Sequence, residues 1–291
     1  MNTVPEFTLF RPQTLNEALK IMKEYEAVPI AGGTDLIIDL RNGNRKVEHL
    51  VAIDHLGELS YIKEEGQYIR IGATTKHTHI VESDVIKNKA SVLGDGVYKI
   101  GSGQTRNQGT IGGNICTASP GADAATPLLV LGATVVMTST ERKREVPLSD
   151  FFTGPKRNCL KTGELLTEVY FSIPPRGSGG AFQKLGRRQG ATISLVNSAA
   201  YMELNEDICQ NVRVAVGACA PTPVRIPDVE KQLLGKKISR DLIEEVSRAC
   251  YLFVEPSQRK HSRASEEYRR EMSCILMKRA LMEAYEKARR N

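Results

Sequence analysis

Two short segments combine glycine with hydroxyl, amide and carboxylate side chains in an order that suits anion binding. The first is Pro29-Ile30-Ala31-Gly32-Gly33-Thr34-Asp35-Leu36, which runs directly out of an apolar strand that begins at Val28. The second is Gln104-Thr105-Arg106-Asn107-Gln108-Gly109-Thr110-Ile111-Gly112-Gly113-Asn114, followed by Asp123. Paired glycines permit positive φ and let backbone N–H groups approach an anion with no Cβ in the way. On this ground Gly113 is expected to need φ > 0. Each pair alone is equally well a tight turn. Two such turns, far apart in the chain, suit the two phosphates of a dinucleotide, with Thr34 and Thr110 as hydroxyl donors and Asp123 as an acceptor for ribose hydroxyls.

Other chemistries find less support. Gly101-Ser102-Gly103-Gln104-Thr105-Arg106 misses the GxGxxG fingerprint at its last glycine, and no GxxxxGK followed by Ser or Thr occurs. His77-Thr78-His79 places two rings on different helix faces, and a catalytic zinc normally takes three protein ligands, so these read as surface or capping histidines. Cys116, Cys159, Cys209, Cys219, Cys250 and Cys274 show no cluster-ligand spacing. They read as reduced, mostly buried thiols, Cys116 included, although it follows the second glycine turn closely. With no GxSxG and no Ser/His/Asp or Cys/His arrangement, no catalytic residue and no metal ligand is assigned to this chain.

The elements that position the two motifs follow from periodicity. Thr14 and Glu17 form a capping box before Leu15, Ala18, Leu19 and Met22, which share one helix face. A strand from Val28, a turn at the glycines, one or two helical turns from Leu36 and a strand over 47–53 make a β-turn-α-β unit. Residues 59–73 read as a hairpin turning at Glu64-Glu65-Gly66-Gln67. Residues 75–93 read as helix and 94–113 as an ordered loop. A second hairpin pairs residues 134–137 with 145–148 around a solvated charged turn, Glu141-Arg142-Lys143-Arg144. Pro174-Pro175-Arg176-Gly177-Ser178-Gly179-Gly180 marks a domain boundary. Three strands in an antiparallel meander follow (181–185, 193–204 and 212–219). One helix then runs from Ser239 towards Pro256, burying Leu242, Val246, Ala249, Cys250 and Phe253. A last helix begins near Ser265, with Glu266 and Glu267 in its first turn.

Composition narrows the class. The chain has 291 residues, 41% apolar and 25% charged, which is globular and long enough for two domains. Forty basic against 34 acidic residues give +6, and even residues 240–291 interleave 12 basic with 9 acidic side chains. With 5% aromatics and no Trp, the stacking platform and basic stripe of a nucleic-acid groove are missing. The longest apolar stretch, 122–137, is broken by Asp123, Pro127 and Gly132 and is too short to span a bilayer. No basic n-region with an apolar core follows Met1, so a cytoplasmic location is expected.

The two motifs and Asp123 together resemble the FAD-binding medium subunit of the molybdenum hydroxylases, the family of bacterial xanthine, carbon monoxide and nicotinate dehydrogenases. The resemblance extends to Glu164-Leu165-Leu166, to 184–188 and to the C-terminal meander, essentially the whole chain. It implies an α+β fold: a two-part FAD-binding domain of the vanillyl-alcohol-oxidase-like type over 1–176, with an internal boundary near 56. A smaller C-terminal domain with a three-stranded antiparallel sheet and helices follows over 177–291. The implied cofactor is FAD, with 2Fe–2S clusters in a small partner subunit and molybdopterin in a large one. Electrons would pass from the clusters through FAD to an acceptor such as NAD, quinone, ferredoxin or oxygen, and the chain alone would not turn over substrate.

By the same resemblance the diphosphate lies between residues 29–36 and 110–114, and Asp123 accepts from FAD hydroxyls. Ile100 and Leu166 line the flavin or adenine pocket. Lys184 lies beside the isoalloxazine, where a cation stabilises charge on reduced flavin; otherwise it is a solvated strand lysine. Two features depart from parts of the family. Arg187-Arg188 is followed by Gln189-Gly190-Ala191-Thr192 rather than an early acidic residue, which bears on NAD use. There is also no cysteine-bearing insertion for an extra cluster. A flavin-free assembly paralogue and a standalone FAD oxidase stand as alternatives.

Overall fold

The computed structural model describes residues 4–188, 190–254 and 264–291. Gln189, the side chain of Phe253 and the expected helix stop at Pro256 lie outside the described residues. The chain begins with β1 (Thr8–Phe10), α1 (Leu15–Glu24), β2 (Val28–Ile30), α2 (Leu36–Arg41) and β3 (His49–Ala52), a parallel sheet in the order β1-β3-β2. Half of the capping box forms at α1: Glu17 N donates to Thr14 Oγ1 at 3.2 Å, while Glu17 Oε2 accepts at 2.7 Å from Gln13 N instead of Thr14 N. Ala18, Leu19 and Met22 then pack with Val51 and Ile53, in the face that the spacing predicts. Each of the larger side chains, Leu19, Met22, Val51 and Ile53, contributes about 1.5–3 kcal/mol when fully buried.

The next stretch comprises β4 (Ile62–Glu65), β5 (Tyr68–Gly72), α3 (His77–Glu82), α4 (Asp84–Lys89), α5 (Ser91–Tyr98), α6 (Gly103–Gln108), α7 (Ile111–Thr117) and α8 (Ala125–Val130). It closes with β6 (Thr134–Thr138), β7 (Lys143–Pro147), α9 (Leu148–Phe151), β8 (Phe152–Gly154), β9 (Arg157–Asn158) and β10 (Leu165–Ser172). Both expected hairpins are present, joined by β10 into an antiparallel sheet in the order β4-β5-β10-β6-β7.

The predicted single helix over 75–93 is in fact broken at Ser83, whose hydroxyl caps α4, and at Ala90, whose φ of −144° cannot continue a helix. The predicted loop over 94–113 contains the end of α5, all of α6 and the start of α7. Two of its glycines, Gly96 and Gly112, serve close packing: a Cβ on Gly96 would lie 2.6 Å from both Asp123 O and Pro127 Cγ. The charged run 141–144 is not a simply solvated turn either: Lys143 and Arg144 belong to β7, and Arg144 binds the buried Glu164 through Nε at 2.8 Å and Nη2 at 2.7 Å.

The C-terminal part is β11 (Ser178–Leu185), β12 (Val196–Asn205), β13 (Ile208–Gly217), β14 (Val224–Arg225), α10 (Pro227–Leu233), α11 (Arg240–Phe253) and α12 (Glu266–Arg290). The three expected strands form an antiparallel meander, and the short β14 adds a fourth at its edge. On α11 the buried set is Ile243, Val246, Ser247 and Cys250, a face rotated by one residue from Leu242 and Ala249. Both faces of this sheet are covered. Ala181, Ala200 and Met202 pack with Met277, Ala280 and Leu281 of α12, while Phe182, Ala199 and Tyr201 join the core of the preceding part. This division follows from the period-two alternation of a strand.

Candidate functional site

The glycine turns lie on one cleft of about 960 Å³. Pro29, Ile30, Ala31, Gly32, Gly33, Thr34, Asp35 and Leu36 line one side; Thr110, Gly113 and Asn114 line another, with Ile100 and Leu166 among the walls. The turns touch each other, since a Cβ on Gly32 would lie only 2.0 Å from Gln108 O. Two segments distant in sequence therefore meet where only glycine fits.

The first turn keeps its donors open. Gly33 takes φ +66°, and its carbonyl accepts from Ile37 N at 3.1 Å, which starts α2. Among the described residues no protein group accepts from the N–H of Gly33, Thr34, Asp35 or Leu36. Clustered free amides beside a helix start attract an anion.

The second turn is built differently. Ile111 N donates to Thr75 O at 3.0 Å, Gly112 N to Ala73 O at 2.9 Å, Asn114 N to Thr110 O at 3.0 Å, and Gly113 N to Thr110 Oγ1 at 3.1 Å. Its amides are spent on docking and capping α7. Ile111 is fully buried, and a Cβ on Gly112 would lie 2.7 Å from Ala73 O; neither residue lines the cleft. Gly113 sits in the first turn of α7 without positive φ, contrary to expectation, and a Cβ there meets only Thr110 Oγ1, at 3.0 Å. What this side offers is polar side chains. Asn114 Oδ1 is buried with no hydrogen-bond partner among the described residues.

Asp123 and Lys184 do not line the cleft. Their side chains, 7% and 6% exposed, form an ion pair of 2.5 Å. Asp123 Oδ1 also accepts from Ser194 Oγ at 2.6 Å and Asn197 Nδ2 at 3.0 Å, while Lys184 Nζ donates to Lys99 O at 2.9 Å. The pair thus anchors the backbone next to Ile100, a residue of the cleft wall. Lys184 is not a solvated strand lysine.

Several lining residues escaped the sequence reading. His77 is only 2% exposed, not a surface or capping histidine, and its ring packs where a Cβ on Gly109 would lie 3.0 Å from Cδ2. Burial, reinforced by Arg106, pushes it down to about 4, so it is neutral at physiological pH. The signal was present: His77 and Ile80 share the buried face of α3 at i, i+3. Arg45, Lys156, Arg157 and Lys161 bring four cations to the cleft, Lys156 pairing with Asp39 at 3.1 Å. Lys156-Arg157 follows Gly154-Pro155, a basic pair at a turn, which is the pattern that could have flagged them. Cys116 also lines the cleft, its thiol pushed up to about 12 by burial, with Cys159 adding to the effect, so it stays protonated.

A family model described as "FAD binding domain in molybdopterin dehydrogenase" matches residues 5–175, and one described as "CO dehydrogenase flavoprotein C-terminal domain" matches 180–284. The glyceraldehyde dehydrogenase medium chain of Sulfolobus acidocaldarius is 32% identical over 96% of this chain and 98% of its own length. The xanthine dehydrogenase FAD-binding subunit of Escherichia coli is 32% identical over 94% of each chain. A chain of carbon monoxide dehydrogenase from Hydrogenophaga pseudoflava superposes with a TM-score of 0.94 at 28% identity, covering 98% of this chain and 99% of that one. With the glycine turns, the cleft and matches running the length of the sequence, the chain belongs to the FAD-binding medium subunits of the molybdenum hydroxylases, a family of oxidoreductases.

Proposed function

We propose that this chain carries FAD as the electron-transfer subunit of a three-subunit molybdenum hydroxylase. In this reading it takes electrons from 2Fe–2S clusters of a small partner and passes them to an external acceptor, while a large molybdopterin subunit acts on the substrate. The observation that carries it is the cleft itself, which gathers the open amides of the first turn with Arg45, Lys156, Arg157 and Lys161 among its lining, beside the carboxylates Asp35, Asp39 and Glu164. The donor set fits FAD: N–H groups and cations for a diphosphate, apolar walls for a ring system, and an orphaned Asn114 Oδ1 for a ligand donor. FAD, when bound, supplies a centre that takes up and releases electrons singly or in pairs.

The chain's own residues bind and orient. Gly32, Gly33, Thr34, Asp35 and Leu36 offer the diphosphate their backbone, with Pro29, Ile30 and Ala31 leading into the turn. Lys156, Arg157, Lys161 and Arg45 offset its charge. Ile100 and Leu166 flank the rings. Thr110, Gly113 and Asn114 form the second wall with Ile111 and Gly112 packed behind it, and the Asp123–Lys184 pair holds the backbone next to Ile100. We further read residues 1–176, divided near 56, and 177–291 as the domains, joined firmly because Phe182 and Tyr201 share the earlier core. Among the described residues no helix is long and apolar enough to cross a membrane. With six free cysteines, this supports a cytoplasmic complex.

The test is reconstitution. The purified chain should hold FAD, not FMN, when the flavin released by heat is chromatographed. It should hydroxylate no purine, aldehyde or N-heterocycle. Adding the matching small and large subunits should give substrate-dependent bleaching at about 450 nm. Substrate turnover by the isolated chain at the rate of the mixture would overturn the subunit reading in favour of a standalone oxidase.

A further inference from the structure

Three polar contacts set α11 and α12 antiparallel and fix their register. Lys278 Nζ donates to Glu244 Oε2 at 2.6 Å, Cys274 Sγ lies 3.8 Å from Arg248 O, and Arg270 Nη1 donates to Tyr251 O at 3.2 Å. Each step forward along α11 is a step back along α12. Cys250 falls on the same seam: its Sγ lies 3.7 Å from the Oγ of Ser273, whose hydroxyl donates to Arg270 O at 2.6 Å. The thiols of Cys250 and Cys274 meet there and hydrogen-bond each other.

The two thiols are not equivalent. Cys250 is fully buried in the core that holds Val246 and Met277, whereas Cys274 is partly exposed. The hydrogen bond from Cys250 holds the Cys274 thiol below its ordinary value, and the same contact, with burial, holds Cys250 above it. Burial pushes Cys116 and Cys219 the other way, up to about 12. The thiolate is the form that attacks an oxidant, and a neighbouring thiol converts the product to a disulfide.

We propose that Cys274 and Cys250 form a peroxide-sensitive pair, in which Cys274 is oxidised first and a disulfide to Cys250 then ties α11 to α12. The Cys274 thiolate attacks one oxygen of hydrogen peroxide. The O–O bond breaks, hydroxide leaves, and the sulfur becomes a sulfenic acid, oxidised by two electrons. The Cys250 sulfur then displaces the sulfenic oxygen, which leaves as water with the thiol proton. Two thiols and one peroxide thus give one disulfide and two waters. The new bond closes residues 251–273 into a loop, and such a cross-link favours the folded chain. Neither cysteine lines the cleft, so flavin occupancy is unaffected.

The purified full chain is reduced, freed of reductant and treated with hydrogen peroxide. Remaining thiols are blocked in denaturant and the peptides are mapped by mass spectrometry. Two of the six thiols should disappear together into one peptide pair carrying Cys250 and Cys274, and dithiothreitol should restore both. The oxidised chain should unfold at a higher denaturant concentration, and reduction should reverse the shift. Cys250→Ser should stop at a sulfenic acid on Cys274 that dimedone traps, and Cys274→Ser should yield neither product. Mapping needs only the unmodified chain, so a poorly folding variant does not silence the test. Six thiols retained in excess peroxide, oxidation of Cys274 past the sulfenic acid with no bridge, or a bridge to any other cysteine would overturn the pair.

Discussion

The two glycine turns look alike in sequence and do opposite things with their backbones. The turn at Gly32-Gly33 leaves a run of N–H groups open and uses positive φ at Gly33 to aim them. The turn at Gly112-Gly113 spends its N–H groups on Ala73, Thr75 and Thr110, and uses the missing Cβ of Gly112 to press α7 against the end of β5. In the first pair Gly32 permits close approach to Gln108 and Gly33 supplies positive φ; in the second Gly112 packs against Ala73 and Gly113 has no positive φ. The lesson is that a glycine pair signals close approach of backbone to something, and only the fold says to what.

The largest expected effect belongs to a residue in neither turn. Asp123→Ala leaves Lys184 buried and uncompensated and should destabilise by about 3–5 kcal/mol, read as a lower unfolding midpoint in denaturant. If FAD affinity instead falls while stability is unchanged, Asp123 contacts cofactor directly, and the contrast drawn between cleft and wall is wrong.

Acid titration tests the packed side of the cleft. His77 has its proton affinity lowered from the usual 6.5 to about 4 in the folded chain, chiefly by burial. Above pH 6.5 both states are neutral. As pH falls towards 4 the unfolded chain takes up a proton that the folded chain refuses, so stability drops by about 3 kcal/mol in full. His77→Gln should lack this component of the acid loss. An identical acid limb in the variant would place His77 in solvent.

Gly32→Val sharpens the contact between the turns. Its Cβ would collide with Gln108 O, and overpacking of this kind costs about 1–3 kcal/mol. The variant should be purified with little flavin and melt early. Retained flavin at full occupancy would mean that the turns can separate without loss.

Gly113→Ala gives the smallest effect and the sharpest contrast. In the first turn of α7, with no positive φ, alanine should raise helix stability by about 0.5–1 kcal/mol, partly offset by the approach to Thr110 Oγ1 at 3.0 Å. Flavin affinity should fall modestly, since the new methyl enters the cleft. A large loss of stability would show Gly113 to be as constrained as Gly32.

Much of this molecule is legible from local pattern. The capping box at Thr14, the two hairpins, the β-turn-α-β unit and the meander all rest on interactions within a few residues or on strict alternation, which the chain carries in itself. Failures came where local signals conflicted. The stretch from Gly94 to Gly113 reads as loop because glycine, Ser and Asn dominate it, yet Ser102 and Thr110 cap helices there and Gly96 and Gly112 pack tightly. His77 reads as a surface or capping residue because it and His79 suit no metal site, and its burial depends on a partner element, the Gly109 turn, brought in from elsewhere.

What the sequence by itself determined is the set of elements and the presence of two backbone turns able to approach a ligand, because turn chemistry and apolar period are properties of neighbouring residues. Only the tertiary structure decided that these turns touch at Gly32 and Gln108, that one is open and the other spent, and that Lys156 and Arg157 complete their cleft. It also decided that Asp123 and Lys184 face each other behind the wall. Each of these depends on which hydrogen-bond partners and which charges long-range packing brings within reach, and a charge finds its partner through space rather than along the chain.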